Sequence, residues 1–341
     1  MPARDALYYD LEGPISGQDH AFEVCKRFIP DGDKLFAVLS RYDDILVLGG
    51  REGYEPGDTL QLLIPFFVEA GVTEKDLRVV SAEAGLVPGI CELFSELQEE
   101  GCSVWVISTS YSQHAFSIAL RVGIPWNRVY STGLSLTYLQ EEIDIRDIEL
   151  IQYIQKEAVE LHHDDLASGI NDEPIQRLLD PFFWEALPKT KFGQVIAKVK
   201  VMGGRRKVIV LEEAIHKSGG YLDDAFIVVD SITDFRMAQA VEAAGGIALA
   251  WNGNQYIIPY ASCGIAAIDA RTVKPLFQAW REGGRKAVRE IVEIMPEPEN
   301  PETGPYYHWL AGKSSEFHQE VLAIHKRLRT VCRGAEVAKL G

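Results

Sequence analysis

Three short apolar runs each stop on a polar residue: ALYY before Asp10, SVWVIS ending at Ser108, and AFIVVD ending at Asp230. A fourth, GIALAW, runs into NGN at Asn252 to Asn254. Runs this short and this continuously apolar read as strands buried on both faces. Between them the apolar residues change period. In VPGICELFSELQEEGC, Ile90, Leu93, Phe94 and Leu97 follow helical spacing, with Gly101 as the stop. In DFRMAQAVEAAGG, Phe235, Met237, Ala238 and Val241 do the same before a double-glycine exit. This alternation predicts a doubly wound parallel α/β sheet, whose ligands bind at the carboxyl ends of the strands. Asp10, Ser108, Asp230 and the NGN segment all fall at that edge. Strand ends are often polar simply because turns are, but four such ends on one sheet favour a site.

Two long stretches do not fit the sheet. Residues 17–85 mix helical pattern with loops and are expected to form a helical cap; the stripe LLIPFFV is read as its core. Residues 135–200 form a second, mainly helical insertion, clearest in DIELIQYIQKEAVELHHDD. The sheet is then built from 1–16, 86–134 and 201–270, and 271–341 is a helical extension. That extension has a Pro/Glu-rich linker, MPEPENPETGPYY, and a last amphipathic helix carrying Phe317, Val321, Leu322 and Leu328. The adjacent histidines of LHHDD (161–165) point about 100° apart on a helix and are read as a polar helix end, not a metal site.

Composition narrows the function. A net charge of −16 without any basic stripe excludes a binder of nucleic-acid backbones. The apolar stretch KLFAVLSRYDDILVLGG is cut by RYDD, so no membrane span is expected. The start, MPARDALYYD, is too short and too acidic for a secretory signal. Five scattered cysteines without a CxxC pair suggest reduced thiols and a cytoplasmic protein.

Taken in order, YYDLEGP, VWVISTS, Lys207 of RRKVIVL and VVDSITD resemble the four motifs of the haloacid dehalogenase superfamily. Lys207 lies 23 residues before Asp230, a spacing similar to that of phosphoserine phosphatase-like members. The D-x-E-G-P start resembles that of uncharacterised archaeal-type phosphatases of the superfamily. The likeness covers roughly 5–16, 86–134 and 205–260, and implies a Rossmann-like core under a mostly helical cap, here with an extra helical insertion.

The resemblance implies a magnesium-dependent phosphatase that hydrolyses a small phosphorylated metabolite through an aspartyl phosphate. Asp10 would be the nucleophile and Glu12 the general acid and base. Ser108 and Lys207 would act on the phosphoryl group, with Thr109 beside them. Asp10, the backbone carbonyl of Glu12, Asp230 and Asp234 would hold Mg2+. The residue types suit that chemistry. A carboxylate attacks an anionic phosphoryl group only where cations neutralise both, and residues i and i+2 of an extended chain share a face. Asp19, nine residues after Asp10, stands where phosphoserine phosphatases place a substrate-reading Glu. Their cap arginine is replaced by an apolar residue near Leu63, so phosphoserine is not the expected substrate. Arg51, Tyr54 and Glu55 are other candidate cap contacts.

Departures matter too. Glu12 stands where Asp is usual, as in the DxEG of enolase-phosphatases, and Gly13–Pro14 removes a hydroxyl and an N–H donor. Lys207 could instead belong to a surface basic cluster with Arg205 and Arg206, with Lys191, Lys198 and Lys200 as competitors, and Asp234 could simply cap a helix. Two other activities fit the same residues: a phosphotransferase or phosphomutase with the same nucleophile, and a catalytically weak binding or regulatory protein.

Overall fold

Seven strands make one sheet in the computed structural model, which describes residues 4–163, 165–335 and 337–339. They are β1 (Ala6–Tyr9), β2 (Ser103–Tyr111), β3 (Val129–Thr132), β4 (Phe226–Val229), β5 (Ile247–Trp251), β6 (Cys263–Ala266) and β7 (Tyr306–Trp309). The spatial order is β3-β2-β1-β4-β5-β6-β7, parallel throughout except that β7 runs against β6. The four apolar runs are β1, β2, β4 and β5. The tail read as helical also supplies a strand, β7, which covers the outer edge of β6 and so removes an open parallel edge.

Alternation along the strands decides the two layers. Leu7, Tyr9, Val104, Val106, Phe226 and Val228 join one buried cluster with Leu93, Phe94, Ile118 and Trp280. Ala6, Tyr8, Trp105, Ile107, Ile227 and Val229 join another with Leu211, Val241, Val321 and Leu322. Helices α5 (Ile90–Glu99), α6 (Ser112–Arg121) and α13 (Lys274–Ile294) cover the first face. Helices α11 (Arg205–Lys217), α12 (Phe235–Ala244) and α14 (Ser315–Arg333) cover the second. Both faces are therefore apolar, which is why these strands read as unbroken hydrophobic runs.

A third apolar cluster lies outside the sheet. It joins the first insertion, α1 (His20–Phe28), α2 (Gly32–Leu48), α3 (Thr59–Glu69) and α4 (Glu74–Glu83), to the second, α7 (Leu136–Gln140), α8 (Ile145–Glu160), α9 (Asp172–Pro181) and α10 (Lys191–Ile196). Leu62, Leu63, Ile64, Phe66, Phe67 and Val68 are buried there with Ile151, Ile154, Phe182, Phe183 and Phe192. The LLIPFFV stripe is thus core, as its spacing predicts. Of LHHDD, Asp164 lies outside the described residues.

The chain runs outward from β1 to β2 and β3, then returns to place β4 on the other side of β1. Such a reversal opens a crevice at the carboxyl ends of the two central strands. Register sets what lies there. Tyr9 is opposite both Val106 and Val228, so Asp10 leaves β1 level with the end of β4 and with the middle of the longer β2.

Candidate functional site

The crevice gathers charges from four distant parts of the chain. Lys207, on the first turn of α11, is wholly buried, and its Nζ donates to Asp10 Oδ1 at 2.7 Å and to Asp234 Oδ1 at 2.6 Å. Asp230 follows β4 directly and is also wholly buried. Asp10, Asp230 and Asp234 each offer a carboxylate oxygen within 4.8 Å of the others. Asp234 does not cap α12 with its side chain; its Oδ2 instead accepts the Asp230 amide at 3.3 Å. Lys207 is no part of a surface cluster, although Arg205 beside it is. Its competitor Lys191 pairs with Glu142 on the cap surface.

The electrostatics follow from burial. Burial pushes the Asp10 carboxyl well above its usual range, and the neighbouring Asp234 adds to this while Lys207 opposes it. Asp234 is raised by burial as well, again against Lys207. Burial alone would lower Lys207, but Asp10 and Asp234 together hold its ammonium above the ordinary lysine value. Two buried carboxylates thus share the one ammonium of Lys207.

The residues present fit a divalent cation. Asp230 Oδ1 is buried and accepts no hydrogen bond from the described residues, whereas Oδ2 is engaged. A buried carboxylate oxygen without a donor, next to two more carboxylates, has the chemistry of a hard-cation ligand. The backbone can come close as well: Gly13, at φ +112°, approaches so tightly that a Cβ there would stand 2.2 Å from Asp230 Oδ2. No side chain is tolerated at this position.

Glu12 sits at the cavity wall, where its Oε1 accepts the His20 amide at 2.9 Å. Burial, with Asp19 nearby, pushes its carboxyl up to about 7, against the His20 hydrogen bond. That is the range in which one group can both give and take a proton near neutrality. Asp19 also lines the cavity, and its Oδ1 caps α1 through the Phe22 amide at 2.9 Å. Ser108 is buried, but its Oγ accepts the Ser110 amide at 3.1 Å and it is not among the cavity-lining residues. Thr109 lines the cavity with Asp10 and Glu12, and its Oγ1 is buried without a hydrogen-bond partner among the described residues.

The cap closes over this edge. Glu55 accepts from Arg236 Nε at 3.0 Å and pairs with Arg205 Nε at 3.2 Å, while Arg206 Nη1 donates to Asp58 Oδ1 at 2.5 Å. Gly57 between them, at φ +94°, lies against Thr109; a Cβ would stand 2.7 Å from the threonine methyl. Glu55 therefore holds the cap to the core, Tyr54 donates to Asp43 Oδ1 at 2.6 Å, and Arg51 stacks on Trp184. The cavity beneath is lined from the cap by Phe36, Ser40, Asp43 and Leu60.

Sequence reading missed the two cationic lining residues, Arg329 and Arg333 of α14. Both reach Asp230 Oδ2: Arg329 Nη1 in a very short contact and Arg333 Nη1 at 2.7 Å. A signal was available. Arg329 falls on the buried stripe of α14 with Val321, Leu322, His325 and Leu328, where a charge needs a partner. The NGN segment, which reads as part of the site, instead fastens this helix: the Gly253 amide donates to His325 Nδ1 at 2.9 Å and Asn252 bonds Ala267 on both sides of its amide.

No protein-family model matches the chain, and no curated protein is similar to it in sequence. Among solved structures, a gene product of Archaeoglobus fulgidus is similar over 98% of this chain and 98% of its own, at 28% identity and TM-score 0.83. A phospho-aspartyl intermediate analogue of phosphoserine phosphatase matches 79% of this chain and 97% of its own, at 14% identity and TM-score 0.50. The seven-stranded sheet and its helical layers thus form the Rossmann-like α/β fold of haloacid dehalogenase type.

Proposed function

We propose that the protein is a phosphatase that hydrolyses a small cytoplasmic phosphomonoester through an aspartyl phosphate on Asp10. The observation that carries this reading is Lys207 Nζ, wholly buried between Asp10 and Asp234, with the open oxygen of Asp230 alongside. Asp10, the backbone carbonyl of Glu12, Asp230 and Asp234 would hold a magnesium ion, which supplies positive charge to the phosphoryl oxygens and to Asp10. Likeness to phosphoserine phosphatase is a likeness of fold; Leu63 is buried in the cap, and phosphoserine is not the substrate proposed.

Each residue then has a task. Lys207 favours the ionised form of Asp10 against burial, and a bound cation would add to this, so that a carboxylate oxygen can attack phosphorus as the bond to the leaving oxygen breaks. Glu12, protonated at first, gives its proton to that oxygen. It next takes a proton from a water that attacks the aspartyl phosphate, releasing inorganic phosphate and restoring both carboxyl groups. The free hydroxyl of Thr109 is the donor at hand for a phosphoryl oxygen, with Ser108 shaping the turn through the Ser110 amide. Arg205, Arg206 and Arg236 keep the cap in place over the cavity through Glu55 and Asp58.

The test is hydrolysis of a panel of phosphomonoesters with and without magnesium, by the native protein and by Asp10→Asn. Asp10→Asn keeps a partner for Lys207 and should fold, while turnover falls by about a thousandfold or more. Full activity in that variant contradicts the assignment. Labelled water entering inorganic phosphate separates hydrolysis from transfer to another acceptor.

A further inference from the structure

The tail helix brings charge to the place where a cation belongs. Taken as ionised, Asp10, Asp230 and Asp234 against Lys207 leave two negative charges, the complement of a divalent cation. Arg329 and Arg333 supply two positive ones. Both guanidiniums lie on Asp230 Oδ2, one carboxylate oxygen away from the open Oδ1. Arg329 is wholly enclosed and also donates to the Asn252 carbonyl at 3.4 Å, and Arg333 Nε donates to the Gly17 carbonyl at 3.2 Å.

Two effects oppose each other here. By gripping Oδ2 the arginines orient Asp230, and a lost orienting partner typically weakens a metal site about ten- to a hundredfold. They also place two unit charges within a few ångströms of the same ligand, in a buried site where such repulsion is only weakly screened. At an effective dielectric constant of about 20, repulsion between one guanidinium and a divalent ion exceeds that orienting gain by orders of magnitude. Repulsion wins.

We propose that Arg329 and Arg333 are built-in counter-ions of this site, so that docked α14 and a divalent cation oppose each other at Asp230. The inference rests on the cation-binding part of the proposed function and adds a regulatory element to it. Linkage makes the opposition mutual: whatever α14 takes from cation affinity, the cation takes from the docking of α14. Docking is otherwise well supported, by Val321, Leu322 and Leu328 in the core and by the Gly253–His325 hydrogen bond, so the helix loosens without leaving.

Calorimetric titration with magnesium alone, on the full chain, tests this. Arg333 is varied because the fully buried Arg329 is the riskier change for folding. Arg333→Gln is expected to bind magnesium at least about tenfold tighter than the native protein, and Arg333→Lys, which keeps the charge, to stay near native affinity. In the native protein, saturating magnesium should speed amide hydrogen exchange in 315–333. Unchanged or weaker binding by Arg333→Gln, exchange in α14 that ignores magnesium, or no binding by any of the three proteins each overturns the proposal. If hydrolysis through Asp10 stands while affinity is indifferent to Arg333, only this inference falls. Loss of hydrolysis with the affinity pattern intact removes the proposed function instead.

Discussion

Arg205, Arg206 and Lys207 are consecutive, yet they serve two different parts of the molecule. Lys207 is sealed between Asp10 and Asp234 at the sheet edge. Arg205 and Arg206 reach up to Glu55 and Asp58 and hold the cap, with side chains 72% and 28% exposed against none of Lys207. One helical turn thus ties the buried cluster to the cap over it. The same charge has a different worth at each position: exposed ion pairs contribute little, whereas a sealed charge without its partner is costly. Three adjacent basic residues cannot be told apart by composition; burial separates them.

Replacing the sealed member should have the largest effect. Lys207→Met leaves Asp10 and Asp234 buried without a cation, and is expected to cost about 3–5 kcal/mol of stability and essentially all turnover. Chemical denaturation of the two proteins checks it, and a loss below 1 kcal/mol would mean that solvent reaches the cluster.

A smaller effect comes from pH, through the helix that shares this edge. His325 accepts the Gly253 amide at Nδ1, and burial holds its folded pKa well below the usual 6.5. Below about 6.5 the unfolded chain binds the proton that the folded one refuses, so stability present at neutral pH is lost as pH falls, at up to about 1.4 kcal/mol per pH unit for this residue. His20 and His308, each lowered by burial to about 4, act in the same direction. Buried carboxyls raised by burial, Asp10, Glu12 and Asp234, act in the opposite direction, so the His325 share is read by comparison. Between pH 7.5 and 5 the thermal midpoint of His325→Asn, which retains an acceptor, should fall less, or rise more, than that of the native protein. An identical slope in that variant removes His325 from the account.

The cap pair gives the smallest effects. Arg206→Ala removes a paired contact with Asp58, itself buried, and should raise KM with a stability loss of about 1–2 kcal/mol. Arg205→Ala, at an exposed position, should cost about 0.5 kcal/mol or less. Equal losses in the two variants would erase the distinction drawn between them.

Most of the sheet was readable because β1, β2, β4 and β5 are buried on both faces and end in polar residues. The strands that escaped are at or near its margins: β3 is half-exposed, β6 is only CGIA, and β7 follows a Pro/Glu-rich linker that reads as an end to order. The acidic positions and Lys207 were found through their order along the chain, and the fold brings them together. Arg329 and Arg333 were missed because nothing local links them to Asp230, about a hundred residues earlier; packing of α14 against the NGN turn makes that link. Of the adjacent pair, Thr109 is among the cavity-lining residues and Ser108 is not, its Oγ accepting the Ser110 amide, a difference that residue type alone does not reveal.

The central claim is that phosphate resides briefly on Asp10. Rapid acid quench during turnover of an accepted phosphomonoester, followed by peptide mass spectrometry, should find phosphate on the peptide containing Asp10 and none in Asp10→Asn. Sustained turnover with that peptide unmodified, or with phosphate on another residue, would contradict the account.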